Sequence, residues 1–262
     1  MTIDTPKSAF EKVSLLITHY NRSGSLANLL ERFSQLQVHF AEIIVSDDGS
    51  KEDQQVQLQL LQQQYNFRLI TTPVNKGLAN NINKGQDAVT TPYTLYIQED
   101  FIPSDIFPTK LAESLAILEE RPEFDIARYW AYWKYPYLES IRNGFSEMKF
   151  HILKAGYAKF YVYSDACHLR RSNFLEKFGR YPEGGIKSDK AEYLMMMSFL
   201  HKKGRAIYFD KFNELFTHQN SSDEPSTVSR NYLSSTENIL VANVRNLYRH
   251  LKFNFNYLFP RN

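Results

Sequence analysis

The first hundred residues alternate short, continuous apolar runs with stretches of helical periodicity, and this alternation limits the fold more than any other feature. "KVSLLIT" (12–18) is rich in β-formers, and "SLANLLERFSQL" (25–36) then sets Leu26, Leu29, Leu30, Phe33 and Leu36 at helical spacing. "EIIVSDDGS" (42–50) reads as a second strand ending in a turn. The glutamine-rich "QQVQLQLLQQQY" (54–65) is taken as a helix, because Gln and Leu are good helix formers and a crossover is needed there. "FRLITT" (67–72), "LANNINKGQDAV" (78–89) and "PYTLYIQED" (92–100) follow as strand, helix and strand. Continuous apolar strands separated by helices imply an α/β fold, with a mostly parallel central sheet covered by helices on both faces.

Beyond a helix predicted over 105–120 the character changes. Residues 128–163 are dense in aromatics, a helix is predicted over 188–204, and a last strand over 205–210 leads to "NELFTHQN". No Gly/Ser/Pro-rich linker separates the parts, so a first half (1–103) and a second half (104–240) are expected to share one body, followed by a tail (241–262). With 262 residues, 43% hydrophobic, the chain is long enough for one large core. A formal net charge of only +2 gives no footprint of a nucleic-acid binder. The first residues carry no apolar run, and nothing approaches the ~18 apolar residues of a membrane span, so neither signal peptide nor spanning helix is expected. The single cysteine, Cys167, has no internal partner, which fits a cytoplasmic location.

In a parallel sheet, ligands bind at the carboxyl ends of the strands. Those ends carry "THYNR" (18–22), "DDGS" (47–50), "PVNKG" (73–77) and "QED" (98–100), which should converge. Each has a plain alternative. "DDGS" is a good turn sequence, yet a carboxylate such as Asp48 can also accept the imide N–H of a uracil or bind ribose hydroxyls. "NKGLANNINKG" sets Gly77 before a helix whose free N–H groups can face a diphosphate, with Lys76 as a point charge, although Asn and Gly also simply cap helices. One carboxylate with phosphates and water suffices for Mg²⁺ or Mn²⁺, which gives Asp100 a metal role in preference to that of a solvated strand end.

"VSLLITHYNR", "EIIVSDDGS", "NKGLANNINKG" and "LYIQED", in this order and spacing, resemble the nucleotide-binding half of family 2 glycosyltransferases of the GT-A fold, closely over 13–103 and more loosely over 160–218. The resemblance implies that Thr18, Tyr20 and Asp48 contact the nucleoside, and that Asn75, Gly77 and Asn83 belong to the donor-binding segment. It places Gln98, Glu99 and Asp100 on the family's D-x-D element, with Glu99 near ribose or sugar and Asp100 on the metal. Three positions depart from the family pattern. His19 replaces a small Thr or Ser, Ile82 lies where many members carry an Arg, and Gln98 replaces the first Asp.

The family's acceptor half carries a catalytic base near the start of a late helix, where "GGIKSDKAEYLMM" offers Asp189 and Glu192. Asp189 is favoured as base, although Asp189-x-x-Glu192 also matches a capping box. His218 is an ordinary histidine by default and a minor candidate for a metal or phosphate ligand. Trp130, Tyr132, Trp133, Tyr135 and Tyr137 divide between core and an aromatic platform for acceptor sugars. The tail "NVRNLYRHLKFNFNYLFPRN" (243–262) has no acid, four Arg/Lys and many aromatics. It suits contact with the inner face of a membrane, packing on its own domain, or a second subunit. The expected function is inverting transfer of a hexosyl or N-acetylhexosaminyl group from a nucleotide-sugar, UDP-linked, to a glycan or lipid-linked glycan. A nucleotidyltransferase and a non-catalytic glycan- or membrane-binding module of the same fold remain as alternatives.

Overall fold

The run Val13–Ile17 is wholly buried, and its alternate side chains feed two separate cores. It can do so only as a central strand with helices on both sides. A computed structural model describes residues 8–219 and 239–260. The first seven residues, the 220–238 stretch of the expected second half, and Arg261 and Asn262 of the tail lie outside the described residues.

The chain begins with β1 (Ser8–His19), α1 (Ser23–Gln35), β2 (Val38–Asp47), α2 (Glu52–Tyr65), β3 (Arg68–Ile70), α3 (Leu78–Asp87) and β4 (Tyr93–Gln98). Every element expected here is present, with β1 and β2 starting four residues early. In α2 only Leu58 is buried; Gln57, Gln59, Gln63 and Gln64 are exposed, while Gln55 turns inward to Asp47. β5 (Phe101–Pro103) and α4 (Phe107–Glu120) follow. The aromatic region supplies β6 (Ile126–Arg128) and a hairpin of β7 (Leu138–Arg142) and β8 (Phe145–Met148), turning through Asn143 and Gly144 at positive φ. β9 (His168–Arg171), α5 (Phe174–Phe178), α6 (Ser188–His201), β10 (Ala206–Phe209), β11 (Phe216–His218) and α7 (Ile239–Leu258) complete the described chain.

Nine strands form one sheet in the order β3-β2-β1-β4-β9-β6-β10-β8-β7. The pairings make β9 and β8 the two strands that run against the rest, so the sheet is mostly parallel. One core holds side chains of α1, α2 and α4; the other holds those of α3, α5, α6 and α7. Of the elements not foreseen, two bear on the site. β9 inserts antiparallel beside β4, which brings its amino end to the carboxyl edge of β4. β11 pairs antiparallel with β5 and sets His218 opposite Phe101, so 205–210 is not the last strand. The tail is a helix with Phe253 buried against Phe160 and Tyr193. It packs on its own domain along one side.

Candidate functional site

The parallel register aligns the ends of β1, β2 and β4, pairing Thr18 with Ser46 and Gln98, and His19 with Asp47. Asp47 is fully buried and accepts from His19 Nδ1 at 2.8 Å, from the N–H groups of Gly49 and Ser50 at 3.1 Å, from Gln55 at 2.6 Å and from Thr71 at 2.9 Å. The Arg22 N–H donates to His19 Nε2 at 3.2 Å, so the proton sits on Nδ1. Burial alone would raise the Asp47 pKa, but the His19 and Ser50 hydrogen bonds outweigh it and hold the carboxyl well below its usual range. His19, a departure from the family pattern, is therefore the second half of a buried pair that fixes the turn.

Asp48 faces the opposite way. Its two oxygens accept from the N–H groups of Lys76 and Gly77 at 2.9 and 2.8 Å, which ties the end of β2 to the loop before α3. Burial raises its pKa, against the lowering effect of those two bonds. Gly49 permits this close approach: its φ is +69°, and a Cβ there would lie 2.6 Å from the Val74 carbonyl carbon. Gly77 has φ +90° with open space around it, so its need for glycine is conformational. No side chain caps α3 at Gly77, and Asn75 and Lys76 are exposed beside that helix end. Thr18 is buried with its hydroxyl 3.1 Å from Tyr96 Oη, while Tyr20 is half-buried. Asn83 is buried and engaged through both ends of its amide. It donates to the Tyr181 carbonyl and to Glu183, and it accepts the Tyr181 N–H at 3.0 Å, so it clamps α3 to the 181–183 segment. Ile82 sits in the core beneath it.

Glu99 and Asp100 form the turn between β4 and β5. Asp100 Oδ2 accepts from Arg22 Nη1 at 2.5 Å and lies 3.1 Å from His218 Nε2, while Glu99 lies 3.6 Å from the same guanidinium. Burial would raise the Asp100 pKa, but His218 and Arg22 draw it below the usual value. Arg22 was overlooked as a site residue although "THYNR" contains it; nothing local in the sequence announces a partner 78 positions away. His218 reaches Asp100 because β11 pairs with β5. Asp100 Oδ1 is buried without a hydrogen-bond partner. That oxygen, with His218 nearby, fits a hard cation whose remaining ligands are diphosphate oxygens and water. No group of three or more His, Cys, Asp or Glu among the described residues could hold a metal alone.

Gln98 is half-buried, and its amide donates to the Asp165 carbonyl at 3.3 Å. A carboxylate in its place could not donate, which gives the departure from D-x-D a structural role. This bond leads to a second cluster, formed by Arg128 at the end of β6, Asp165 just before β9, and Glu192 on the first turns of α6. The Asp165 N–H donates to Glu192 Oε1 at 3.2 Å, and the two side-chain carboxyls interact at close range. Burial, then the neighbouring charge of Glu192, pushes the Asp165 carboxyl well above its usual range. Arg128 is buried, donates to the Tyr161 carbonyl at 2.6 Å and lies within electrostatic reach of Glu192.

Asp189 is absent from this cluster. It is exposed, and its carboxylate accepts the adjacent Lys190 N–H at 2.9 Å. The capping box is not formed, since α6 opens on Lys187 without a side-chain cap and Glu192 turns to Asp165. The aromatic residues divide as expected. Trp130 and Tyr135 are buried, Tyr137 is half-buried, and Tyr132 and Trp133 are exposed.

Residues 14–178 match the family model for glycosyl transferase family 2, and the chain belongs to that family. Among curated proteins, a poly-beta-1,6-N-acetyl-D-glucosamine synthase of Staphylococcus epidermidis is 26% identical over 103 residues, covering 39% of this chain and 25% of that protein. An uncharacterized glycosyltransferase of Haemophilus influenzae is 29% identical over 116 residues, 43% of this chain and 36% of that one. The chain thus aligns with about a quarter to a third of the length of these relatives. The fold is shared with S. aureus TarS 1-349 in complex with UDP-GlcNAc (TM-score 0.61, 15% identity, 95% of this chain, 76% of that chain). It is shared too with the mannosyltransferase PcManGT from Pyrobaculum calidifontis in complex with GDP-Man and Mn²⁺ (TM-score 0.56, 13% identity, 92% and 63%). These likenesses establish the GT-A fold.

Proposed function

We propose that this chain is an inverting glycosyltransferase that moves a hexosyl group, most specifically an N-acetylhexosaminyl group, from a UDP-sugar to a glycan or lipid-linked glycan acceptor. The observation that supports the reading is that Thr18, Asp48, the uncapped start of α3 and Asp100 meet at one sheet edge, with the Asp165–Glu192 carboxyl pair joined to it through Gln98. In the cradle, Thr18, Tyr20 and Asp48 receive the nucleoside, and the uncapped start of α3 with Asn75, Lys76 and Gly77 faces the diphosphate. Asn83 keeps that helix in place, and Gln98 and Glu99 border the sugar. Asp100, with His218, would hold Mg²⁺ or Mn²⁺, which when bound supplies positive charge against the departing diphosphate.

Glu192 is the base in this reading, in preference to Asp189, because it faces the sheet edge while Asp189 faces solvent. Its carboxylate takes the proton of the acceptor hydroxyl as that oxygen attacks the anomeric carbon. The bond from that carbon to the diphosphate oxygen breaks on the opposite face, and UDP leaves. Asp165 lies beside Glu192, and its backbone N–H, donating to Glu192 Oε1 at 3.2 Å, fixes where that side chain points.

The names of the relatives, a poly-N-acetylglucosamine synthase and a UDP-GlcNAc complex, support a UDP-linked amino sugar. A thermal-shift and UDP-release screen of UDP-, GDP- and dTDP-sugars, with and without Mn²⁺, tests the proposal. UDP-N-acetylhexosamines should stabilise the protein most, in a Mn²⁺-dependent way. A response confined to GDP- or dTDP-sugars would overturn the donor, and failure to turn over any sugar nucleotide would overturn the enzyme.

A further inference from the structure

Helix α7 has two apolar faces where a helix lying on a domain needs one. On the inner face, Phe253 is buried, Tyr257 stacks on His201 with ring centroids 4.8 Å apart, and Asn254 accepts from Lys159 Nζ at 3.0 Å. These contacts fix how the helix sits. On the outer face, Val244, Tyr248, Leu251, Phe255 and Leu258 repeat at intervals of four and three residues, each between 53 and 69% exposed. Leu247 and Phe259, also exposed, widen this stripe. A continuous apolar surface of this kind marks an interaction site.

We propose that the outer face of α7 lies on an anionic membrane surface, its apolar stripe entering the headgroup region while the inner face stays on the protein. Spacing alone would also suit a second helix, as in a coiled coil between two copies. Charge decides between them. From 239 to 260 there is no Asp or Glu, whereas Arg245, Arg249 and Lys252 are all present. Two copies of α7 would bring cations together with no acid to pair them, while an anionic bilayer supplies the complement. Tyr248, Phe255 and Phe259 are the side chains that favour the interface. No helix among the described residues is long and apolar enough to cross a membrane, so the contact is peripheral.

The docking has a consequence for the acceptor. The segment beneath α7 carries Lys159 and Tyr161, and the Tyr161 carbonyl holds Arg128 of the Glu192 cluster. A cavity of about 470 Å³ opens between α7 and this segment, lined by Trp133, Tyr157, Asn246, Leu247 and His250. Trp133 lies 5.4 Å from the Tyr161 ring. A lipid-linked glycan held in the same membrane would enter past Leu247 and reach Glu192 along these aromatics. This consequence rests on the proposed function; the membrane contact itself does not, and it is measured without turnover.

The test is flotation of the full chain with vesicles of phosphatidylcholine alone and with vesicles containing phosphatidylglycerol, at low and high salt, with light scattering in parallel. The protein should float with the anionic vesicles only, and less at high salt. Lys252→Glu should weaken binding roughly fivefold or more. The double change Leu251→Glu and Phe255→Glu should abolish it while leaving the thermal shift with UDP intact. Should the double variant fail to fold, Lys252→Glu alone decides. Absence of flotation with anionic vesicles, or flotation unchanged by Lys252→Glu, overturns the proposal. So does a dimer that the double change dissociates without any vesicle binding, because the second copy is then the occupant.

Discussion

The two sides of the sheet edge are built differently. On the donor side, β1, β2 and β4 deliver their ends in register, and the two carboxylates at the end of β2 are satisfied by groups close at hand. Asp47 collects His19, Ser50, Gln55 and Thr71, and Asp48 collects two backbone N–H groups. On the side assigned to the acceptor, Arg128, Asp165 and Glu192 come from three separate segments, and two carboxyls face each other. The first arrangement keeps a carboxylate ionised and still, as a cradle requires. The second sets a carboxyl whose pKa is driven up against the glutamate proposed as base. The pKa directions follow: Asp47 is held down by its donors, and Asp165 is driven up by burial and by Glu192.

The largest expected effect separates the two sides by function. Glu192→Gln keeps size and hydrogen bonding but cannot accept a proton, so turnover should fall by about 10²–10⁴ while UDP affinity is unchanged. Asp189→Asn should leave both near wild type, and the reverse pattern would return the base to Asp189. Next comes Asp100→Ala on the donor side, which should lower transfer by on the order of 10²–10³ and remove the Mn²⁺ dependence of UDP binding seen by calorimetry. Persistence of that dependence would remove Asp100 from the metal. Asp47→Ala breaks a buried, hydrogen-bonded pair and should cost about 3 kcal/mol. For a chain of this size that is roughly 6–12 °C in melting temperature.

The smallest effects are the most diagnostic, because Asp47 and Asp165 should respond to pH with opposite sign. The folded pKa of Asp47 is depressed, so its contribution is present above the unfolded value of about 3.9 and is lost as pH falls below it. The advantage of wild type over Asp47→Asn should therefore shrink in acid. The folded pKa of Asp165 is raised, so its contribution is present at low pH and is lost as pH rises past the unfolded value towards the folded one. Asp165→Asn should thus gain on wild type as pH rises. Chemical denaturation from acid to neutral pH measures both, and parallel slopes for the two variants would erase the distinction.

The fold of the first hundred residues was legible because its determinants are local. Apolar runs, a helical repeat and the strand-end polar clusters all lie within β-α units, and the parallel order brings the ends together without further information. What escaped depends on long-range pairing. Arg22 meets Asp100 only because β1 and β4 are neighbours, and His218 joins them only through the β5–β11 pair. Asp165 reaches Glu192 because β9 enters antiparallel, a reversal that no residue in "SDACHLRRSN" signals. One missed element did have a signal: "RNGF" carries the Asn-Gly turn of the β7–β8 hairpin. The structure separates Asp189 from Glu192 for a physical reason. Both lie near the start of α6, but only the residue three positions further along faces the sheet.

The central claim is a single displacement driven by Glu192 on a UDP-sugar held at the donor edge. It is tested most directly by following UDP-N-acetylglucosamine, an α-linked donor, by proton NMR in the presence of Mn²⁺ and the protein. The account predicts release of UDP together with a product that first appears as the β-anomer, because attack comes from the face opposite the diphosphate. A product that first appears with α configuration, or a donor that stays intact with every acceptor tried, would contradict it.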